Sequence, residues 1–159
     1  MGMRPSKSKF IGSLLGTAVG DSLGAARWLK PIGRELSPFY TDDTHMMISV
    51  AESLLAVRGF DKDHMLETFV RNWEREPWRG YGPGPPAIFR AYRAGKDPYE
   101  VAKTLYPGGS FGNGAAMRVA PIACLYHDDL GRLREVVYEA SSITHTHPLG
   151  QEGAFLQAC

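Results

Sequence analysis

The stretch that decides the fold is TDDTHMMISVAESLLAV, residues 41–57. A threonine that can cap a helix is followed by apolar residues three and four positions apart, which is the spacing of one helix face. The apolar positions expected on the inner side of this helix are Met46, Met47, Val50, Ala51, Leu54 and Leu55. The sequence therefore predicts a helix from Thr41 through about Val57 that packs against a core.

Further helices are expected at apolar stretches of helical spacing, most of which follow an Asp or begin with a Pro. These starts lie near Asp61, Pro86, Asp97, Ala115, Asp128 or Asp129, and Pro148. The helix from Ala115 to Tyr126 is expected to bend at Pro121, because proline cannot donate a backbone hydrogen bond. Convincing alternation with a period of two is missing from the sequence, so the predicted fold class is all-α.

An apolar stretch near the N-terminus, FIGSLLGTAVGDSLGAA at residues 10–26, carries glycine at every fourth position. Each glycine costs a helix up to about 1 kcal/mol relative to alanine, so four of them indicate tight packing or a ligand. Asp21 interrupts the stretch, which also falls short of the ~20 apolar residues that a membrane span needs. We therefore expect a buried helix of a soluble protein, in which Asp21 is a buried structural hydrogen-bonding group.

Composition restricts the class of protein. The chain has 159 residues, 43% of them hydrophobic, which is enough for one sizeable core and favours a single domain. The formal net charge is +1, from 18 basic and 17 acidic side chains, so neither nucleic acid nor an anionic membrane is an expected partner. Two cysteines do not make a disulfide framework and are typical of a reducing cytoplasm.

Two loops are rich in glycine: RGYGPGPP at residues 79–86 and PGGSFGNGAAMR at residues 107–118. Each ends at an expected helix start, where backbone amides and the helix dipole favour anions such as phosphate. Neither matches a known nucleotide-binding fingerprint, and each could be an ordinary connection. However, Tyr81 and Phe111 could stack on a base, which favours a nucleotide-like ligand. Alternatively, Phe111 belongs to the core, and Asn113 simply suits a left-handed turn.

The adjacent carboxylates of Asp42 and Asp43, called the acidic pair below, allow two interpretations. They can offset the dipole of a helix that Thr41 caps, for about 0.3–1 kcal/mol each. They can also join the Thr41 hydroxyl as oxygen ligands of Mg²⁺ or Mn²⁺, hard cations that prefer such donors. The local sequence leaves both interpretations open.

Five stretches occur in an order that resembles the ADP-ribosylglycohydrolase family, which includes the dinitrogenase-reductase-activating glycohydrolases and the ADP-ribosylserine hydrolases. They are the G-x-x-x-G-x-A-x-G-D-x-L-G pattern at 12–24, YTDDTHM at 40–46, GYGPG at 80–84, SFGNGAAMRVAPI at 110–122 and THTHPLGQEGA at 144–154. The resemblance implies an orthogonal multi-helix bundle with a cleft for ADP-ribose and a centre of two Mg²⁺ or Mn²⁺ ions. Residues 1–159 would then be a single domain of this type, truncated at its C-terminal end.

The resemblance also implies roles for individual residues. By motif position, Thr41, Asp42 and Asp43 correspond to metal ligands, and the two aspartates are the expected catalytic residues. The residues that correspond to contacts with ADP-ribose or an ADP-ribosylated protein are Tyr81, Gly82, Ser110, Phe111, Gly112, Asn113 and His145. A simpler alternative for His145 and His147 is that they sit at a helix end and favour its negative dipole.

Two departures from the family pattern leave two hypotheses open. Members commonly carry a glutamate shortly after the G-D-x-L-G segment, where this chain has Arg27 and Trp28 and its nearest downstream acid is Glu35. The family's acidic C-terminal motif, of the D-x-D-[ST] kind, is also missing from the sequence. The chain is then either an enzyme half, completed by a C-terminal half or a second copy, or a non-catalytic member that binds ADP-ribose or serves structurally, as the jellyfish crystallins do.

Overall fold

A computed structural model describes residues 6–29 and 39–159 of the chain, without the side chains of residues 26–29. Within these ranges every regular element is an α-helix, and the described residues include no strand. The helices are α1 (Lys7–Leu29), α2 (Asp42–Val57), α3 (Lys62–Arg75), α4 (Gly84–Arg93), α5 (Pro98–Thr104), α6 (Ala120–Tyr126), α7 (Leu130–Ser142) and α8 (Pro148–Ala158). The predicted all-α bundle is confirmed.

The core is built from one face of each helix from α2 onward, and α2 packs on α3 while α7 packs on α8. Val50, Phe69, Phe89 and Val136 are fully buried at its centre. Most inner positions predicted for α2 are correct, but Leu55 is wrong because its side chain is 79% exposed. Successive residues on a helix point about 100° apart, so of two adjacent leucines only Leu54 faces the core.

Three helix starts confirm the capping predictions. The side chains of Asp61, Asp97 and Asp129 accept hydrogen bonds from backbone N–H groups in the first turns of α3, α5 and α7, respectively. Of the two candidates for α7, the cap is Asp129. These interactions span at most three residues along the chain, which is why the sequence predicts them.

The predicted helix from Ala115 is wrong, because α6 begins only at Ala120 and residues 115–118 form turns. Pro121 lies in the first turn of α6 instead of bending a longer helix. Backbone N–H groups of a first turn have no acceptor within the helix, so a proline there removes no hydrogen bond.

The prediction that α1 is buried is also wrong for the described residues. None of its described side chains is buried, and a Cβ built on any of its four regularly spaced glycines meets nothing within 4 Å. The physical reason is that, among the described elements, α1 packs mainly against α2 and α6. No helix of the described residues is long and apolar enough to cross a membrane.

Candidate active site

Asp21 on α1 organises the start of α2. One of its carboxylate oxygens accepts hydrogen bonds from the backbone N–H groups of Thr41 (2.8 Å) and Thr44 (3.2 Å) and from the Thr44 hydroxyl (2.6 Å). The other accepts from the Thr41 hydroxyl at 2.6 Å. The predicted structural role of Asp21 is confirmed, although its side chain is half-buried rather than buried.

Thr41 occupies the predicted N-cap position, but its hydroxyl does not cap the helix. It donates to Asp21 instead and also lies 3.1 Å from Oδ2 of Asp43. A hydroxyl has one hydrogen, so it can satisfy only one of these two carboxylates at a time. Asp21, rather than Thr41, accepts hydrogen bonds from backbone N–H groups at the start of α2. Because the Thr41 hydroxyl acts as a donor, both lone pairs of its oxygen stay available near the acidic pair.

The acidic pair is electrostatically strained. Burial, followed by the neighbouring Asp43 carboxylate, raises the pKa of Asp42 to about 7. Burial and the charge of Asp21 raise the pKa of Asp43. None of the ion pairs among the described side chains includes either residue. The neighbouring carboxylates thus disfavour the ionised forms of Asp42 and Asp43, and a positive charge nearby would offset this repulsion.

The first glycine loop lies directly against this pair. Gly80 has a φ of +88°, and a Cβ built on it would lie 3.9 Å from Oδ1 of Asp42. Next to it, the phenol of Tyr81 is hydrogen-bonded to Nδ1 of the buried His45 at 2.8 Å. Burial, followed by the charge of Asp42, raises the pKa of Tyr81, so the phenol stays protonated. The ring of Tyr81 is thus half-buried and turned toward α2, while Gly82 is exposed.

The second glycine loop, residues 107–114, packs on the turn that precedes α8. The backbone N–H of His147 donates to the carbonyl of Ser110 at 3.3 Å. A Cβ on Gly114 would lie 2.5 Å from the imidazole of His145, and Gly109, with a φ of +88°, is equally close to Thr146. Glycine is therefore needed here so that the loop can approach His145 closely.

Three alternatives from the sequence are wrong in the structure. Phe111 does not belong to the core, because it is 69% exposed, with its ring 5.3 Å from that of His147. Asn113 is not in a left-handed conformation, since Arg58 is the only non-glycine residue of the described chain with a positive φ. His147 is not at a helix C-terminus but caps α8 by accepting from the N–H of Leu149.

His145 is held neutral beneath the loop. Burial, followed by the charge of Arg118, lowers its pKa to about 3. Its Nδ1 is 2.7 Å from the Thr144 hydroxyl, which fixes the plane of the ring. Arg118 is itself buried, donates to the carbonyl of Ala140 at 3.0 Å and lies over the ring of Phe69. A neutral imidazole cannot favour a helix dipole by charge, so that alternative for His145 is wrong as well.

A cleft of about 790 Å³, called the main cleft below, brings Asp43 of the acidic pair together with Asn113 of the second glycine loop. Asp43 and Asn113 both line it, as do Asp21 and the glycine face of α1. Ser110, Phe111 and Gly112 line a smaller cavity of about 320 Å³ beside Tyr106 and Pro107. The described lining of these two cavities does not include Tyr81, Gly82 or His145, so their predicted contact with a ligand stays a prediction.

The donor atoms around the acidic pair fit a hard divalent cation. Two desolvated carboxylates and one hydroxyl offer only oxygen, the donor type that Mg²⁺ and Mn²⁺ prefer. Among the described residues, however, no three His, Cys, Asp or Glu side chains are grouped so that they could hold a metal ion. By itself the acidic pair would supply only part of a coordination sphere, so the predicted metal site stays a prediction. The departure predicted at Arg27, Trp28 and Glu35 lies outside the described residues and side chains.

Sequence reasoning missed His45 and Arg118. Both lie within the recognised stretches YTDDTHM and SFGNGAAMRVAPI, and both are polar residues at positions where the surrounding pattern places core residues. A polar residue at an expected core position could have indicated both of them, because buried polar groups need partners and often lie at functional sites.

Comparison with known proteins identifies the fold. The family model of the ADP-ribosylglycohydrolases matches residues 3–159. The chain belongs to the ADP-ribosylglycohydrolase family. It is similar to the ADP-ribosylhydrolase ARH3 of Gallus gallus, with 36% identity over 98% of this chain and 50% of that protein. The ARH3 of Homo sapiens is 33% identical over 99% of this chain and 50% of its own length.

A solved ADP-ribosylglycohydrolase-related protein complex has the same architecture. It superposes on this chain with a TM-score of 0.74 at 32% identity and covers 94% of this chain but 53% of its own. The chain spans about half the length of the curated relatives it matches. Membership of the ADP-ribosylglycohydrolase family, predicted from the five ordered stretches, is therefore confirmed.

Proposed function

We propose that this chain binds ADP-ribose and supplies one part of the active site of a metal-dependent hydrolase that removes ADP-ribose from modified protein side chains or related conjugates. The observation that carries this proposal is the main cleft, in which Asp43 and the glycine-rich loop at Asn113 face one space. A glycine-rich loop whose backbone amides could donate to an anion, beside a partly buried carboxylate, suits a ligand with a diphosphate at one end and a reacting sugar at the other.

Thr41, Asp42 and Asp43 are the residues that would hold Mg²⁺ or Mn²⁺. When bound, such an ion supplies polarisation of ribose oxygens and activation of a water molecule. The chain's own contribution is to orient these ligands: Asp21 holds Thr41 by two hydrogen bonds, and Gly80 lets its loop approach Asp42.

The second glycine loop would hold the diphosphate and the base. Its one large apolar side chain, Phe111, is exposed and lines a cavity of about 320 Å³ together with Ser110 and Gly112. His145 would support the loop from below as a neutral group.

We further propose that turnover requires a second polypeptide part, either a C-terminal half or a second copy. Two observations support this proposal. The relatives are about twice as long as this chain, and the acidic pair is not joined by enough further ligands among the described residues.

Calorimetric titration tests the binding proposal. ADP-ribose should bind the chain more tightly in the presence of Mg²⁺ or Mn²⁺ than in EDTA, and Asp43→Asn should remove that difference. Asparagine keeps the size of the side chain but loses the ligand charge. Asp128→Asn, which changes an exposed acid at the start of α7, is the matched control and should behave as wild type.

Each outcome has a clear meaning. Failure of ADP-ribose to bind under any condition contradicts the proposal. Binding that is indifferent to divalent ions and to Asp43→Asn favours the second candidate, a non-catalytic ADP-ribose-binding protein. That candidate is supported by the incomplete ligand set around the acidic pair.

A further inference from the structure

A second groove, of about 400 Å³, lies on the other side of Thr41 from the main cleft. We call it the aromatic groove. Its two outermost side chains, Phe39 and Trp78, are 67% and 71% exposed. Its described lining is Ala25, Phe39, Tyr40, Thr41, Trp78, Arg79 and Gly80. Exposed large aromatics facing one groove are unusual on a protein surface and typical of recognition sites.

The floor of the aromatic groove is rigid and nearly uncharged. The Arg79 guanidinium stacks on the Tyr40 ring at 3.8 Å and donates to the Tyr40 carbonyl at 3.2 Å. Glu76 forms an ion pair with Arg79, which compensates its charge. A preorganised aromatic floor with a balanced cation suits an apolar side chain better than an acidic or a basic one.

The aromatic groove is continuous with the candidate active site. The main cleft ends at Gly20, Asp21 and Asp43, and these residues also line a small cavity of about 310 Å³ together with Ala25 and Thr41. Ala25 and Thr41 in turn line the aromatic groove. One surface therefore runs from the loop at Asn113, past the acidic pair, to Trp78.

The sequence of cavities from the Asn113 loop to Trp78 indicates what the aromatic groove binds. With the diphosphate at the Asn113 loop and the reacting ribose at the acidic pair, the group bonded to that ribose must extend away from the diphosphate. The aromatic groove lies in that direction. We propose that it binds the polypeptide that carries the ADP-ribose and accepts an apolar side chain adjacent to the modified residue. This inference rests on the proposed function.

The test compares three probes by fluorescence-detected binding to the 159-residue chain with Mg²⁺. They are free ADP-ribose and two peptides of equal length that carry ADP-ribose on a serine, flanked by leucines in one and by glycines in the other. We expect the leucine peptide to bind about tenfold more tightly than the glycine peptide, a difference of about 1.4 kcal/mol. Trp78→Ala should remove most of this difference and leave the affinity for free ADP-ribose unchanged.

Leu130→Ala is the matched control, because Leu130 is also a large, 63% exposed side chain but lies at the start of α7. Phe39→Ala is a second groove variant on a separate chain segment and should act as Trp78→Ala does. Equal binding of the two peptides, or a Trp78→Ala variant that still distinguishes them, overturns the aromatic groove while the proposed function stands. Binding of none of the three probes overturns the proposed function and this inference together.

Discussion

At the scale of single residues, Asp21 links the stability of the chain to its site. Its carboxylate satisfies N–H groups that the first turn of α2 leaves without acceptors, and its charge also raises the pKa of Asp43. The same side chain thus stabilises the helix that presents the acidic pair and disfavours the ionised form of Asp43.

Replacing Asp21 should therefore affect folding directly. We expect Asp21→Asn to lower the free energy of unfolding by about 1–3 kcal/mol, because hydrogen bonds to a charged acceptor are worth about 1.5–3 kcal/mol. Urea denaturation followed by circular dichroism measures the change. Asp128→Asn, at an exposed position, should change it by less than about 0.5 kcal/mol. An Asp21→Asn variant as stable as wild type would contradict the capping role.

The lowered pKa of His145 predicts that the stability of the folded chain depends on pH. Its pKa is about 3 in the folded chain, so between pH 6.5 and pH 3 the unfolded chain binds a proton that the folded chain does not. The contribution of His145 to stability is thus fully present above pH 6.5 and falls as the pH falls, by up to about 1.4 kcal/mol per pH unit.

The measurement compares wild type with His145→Gln from pH 7.5 to 4.5 by denaturant unfolding. At pH 7.5 the difference between the two free energies of unfolding gives the effect of lost packing alone. Other groups that titrate affect the stability of both proteins alike. Wild type should lose stability relative to His145→Gln as the pH falls. Parallel curves would mean that His145 is not held neutral.

At the scale of elements, the second glycine loop depends on its close approach to His145. Gly114→Ala would place a Cβ 2.5 Å from that ring, so either the loop or the ring must move. Overpacking of this kind typically costs about 1–3 kcal/mol, and we expect a loss of stability in that range. Gly82→Ala is the matched control, because a Cβ there meets nothing within 4 Å. Equal stability of the two variants, measured by thermal unfolding, would contradict the packing argument.

The sequence predicted those elements whose causes are local. Asp61, Asp97 and Asp129 cap helices through contacts within a few residues, and these were correct. The start of α6 was wrong because Pro121 is compatible with both a bend and a first turn. The cap of α2 was not predictable from residues 41–57, because it comes from Asp21 on another helix. The roles of the site residues were predicted from the family resemblance. The pKa shifts of the groups around them depend on contacts between distant segments, so only the structure shows them.

At the scale of the whole molecule, α1 presents apolar side chains to solvent in a regular row. Ile11, Leu15, Val19 and Leu23 are spaced four residues apart and are 46–60% exposed. Leu149 and Leu156 on α8 are 70% and 78% exposed. Apolar surface arranged in this way usually packs against another polypeptide. The main cleft opens beside the same helix, so a polypeptide that covered α1 would also reach the acidic pair.

We therefore expect the 159-residue chain to show no appreciable glycohydrolase activity by itself, because the acidic pair and Thr41 alone leave a divalent ion mostly bound to water. Activity should appear when a C-terminal half, such as that of a longer relative, is fused to the chain or supplied as a second chain. An assay of ADP-ribose release from modified protein, in Mg²⁺ and then in Mn²⁺, measures this, with Asp43→Asn as the control for each form. Robust, Asp43-dependent turnover by the isolated chain would contradict the expectation. Light scattering would then show whether two copies complete each other's site, since a monomer with full activity would mean that the 159 residues already provide every ligand needed.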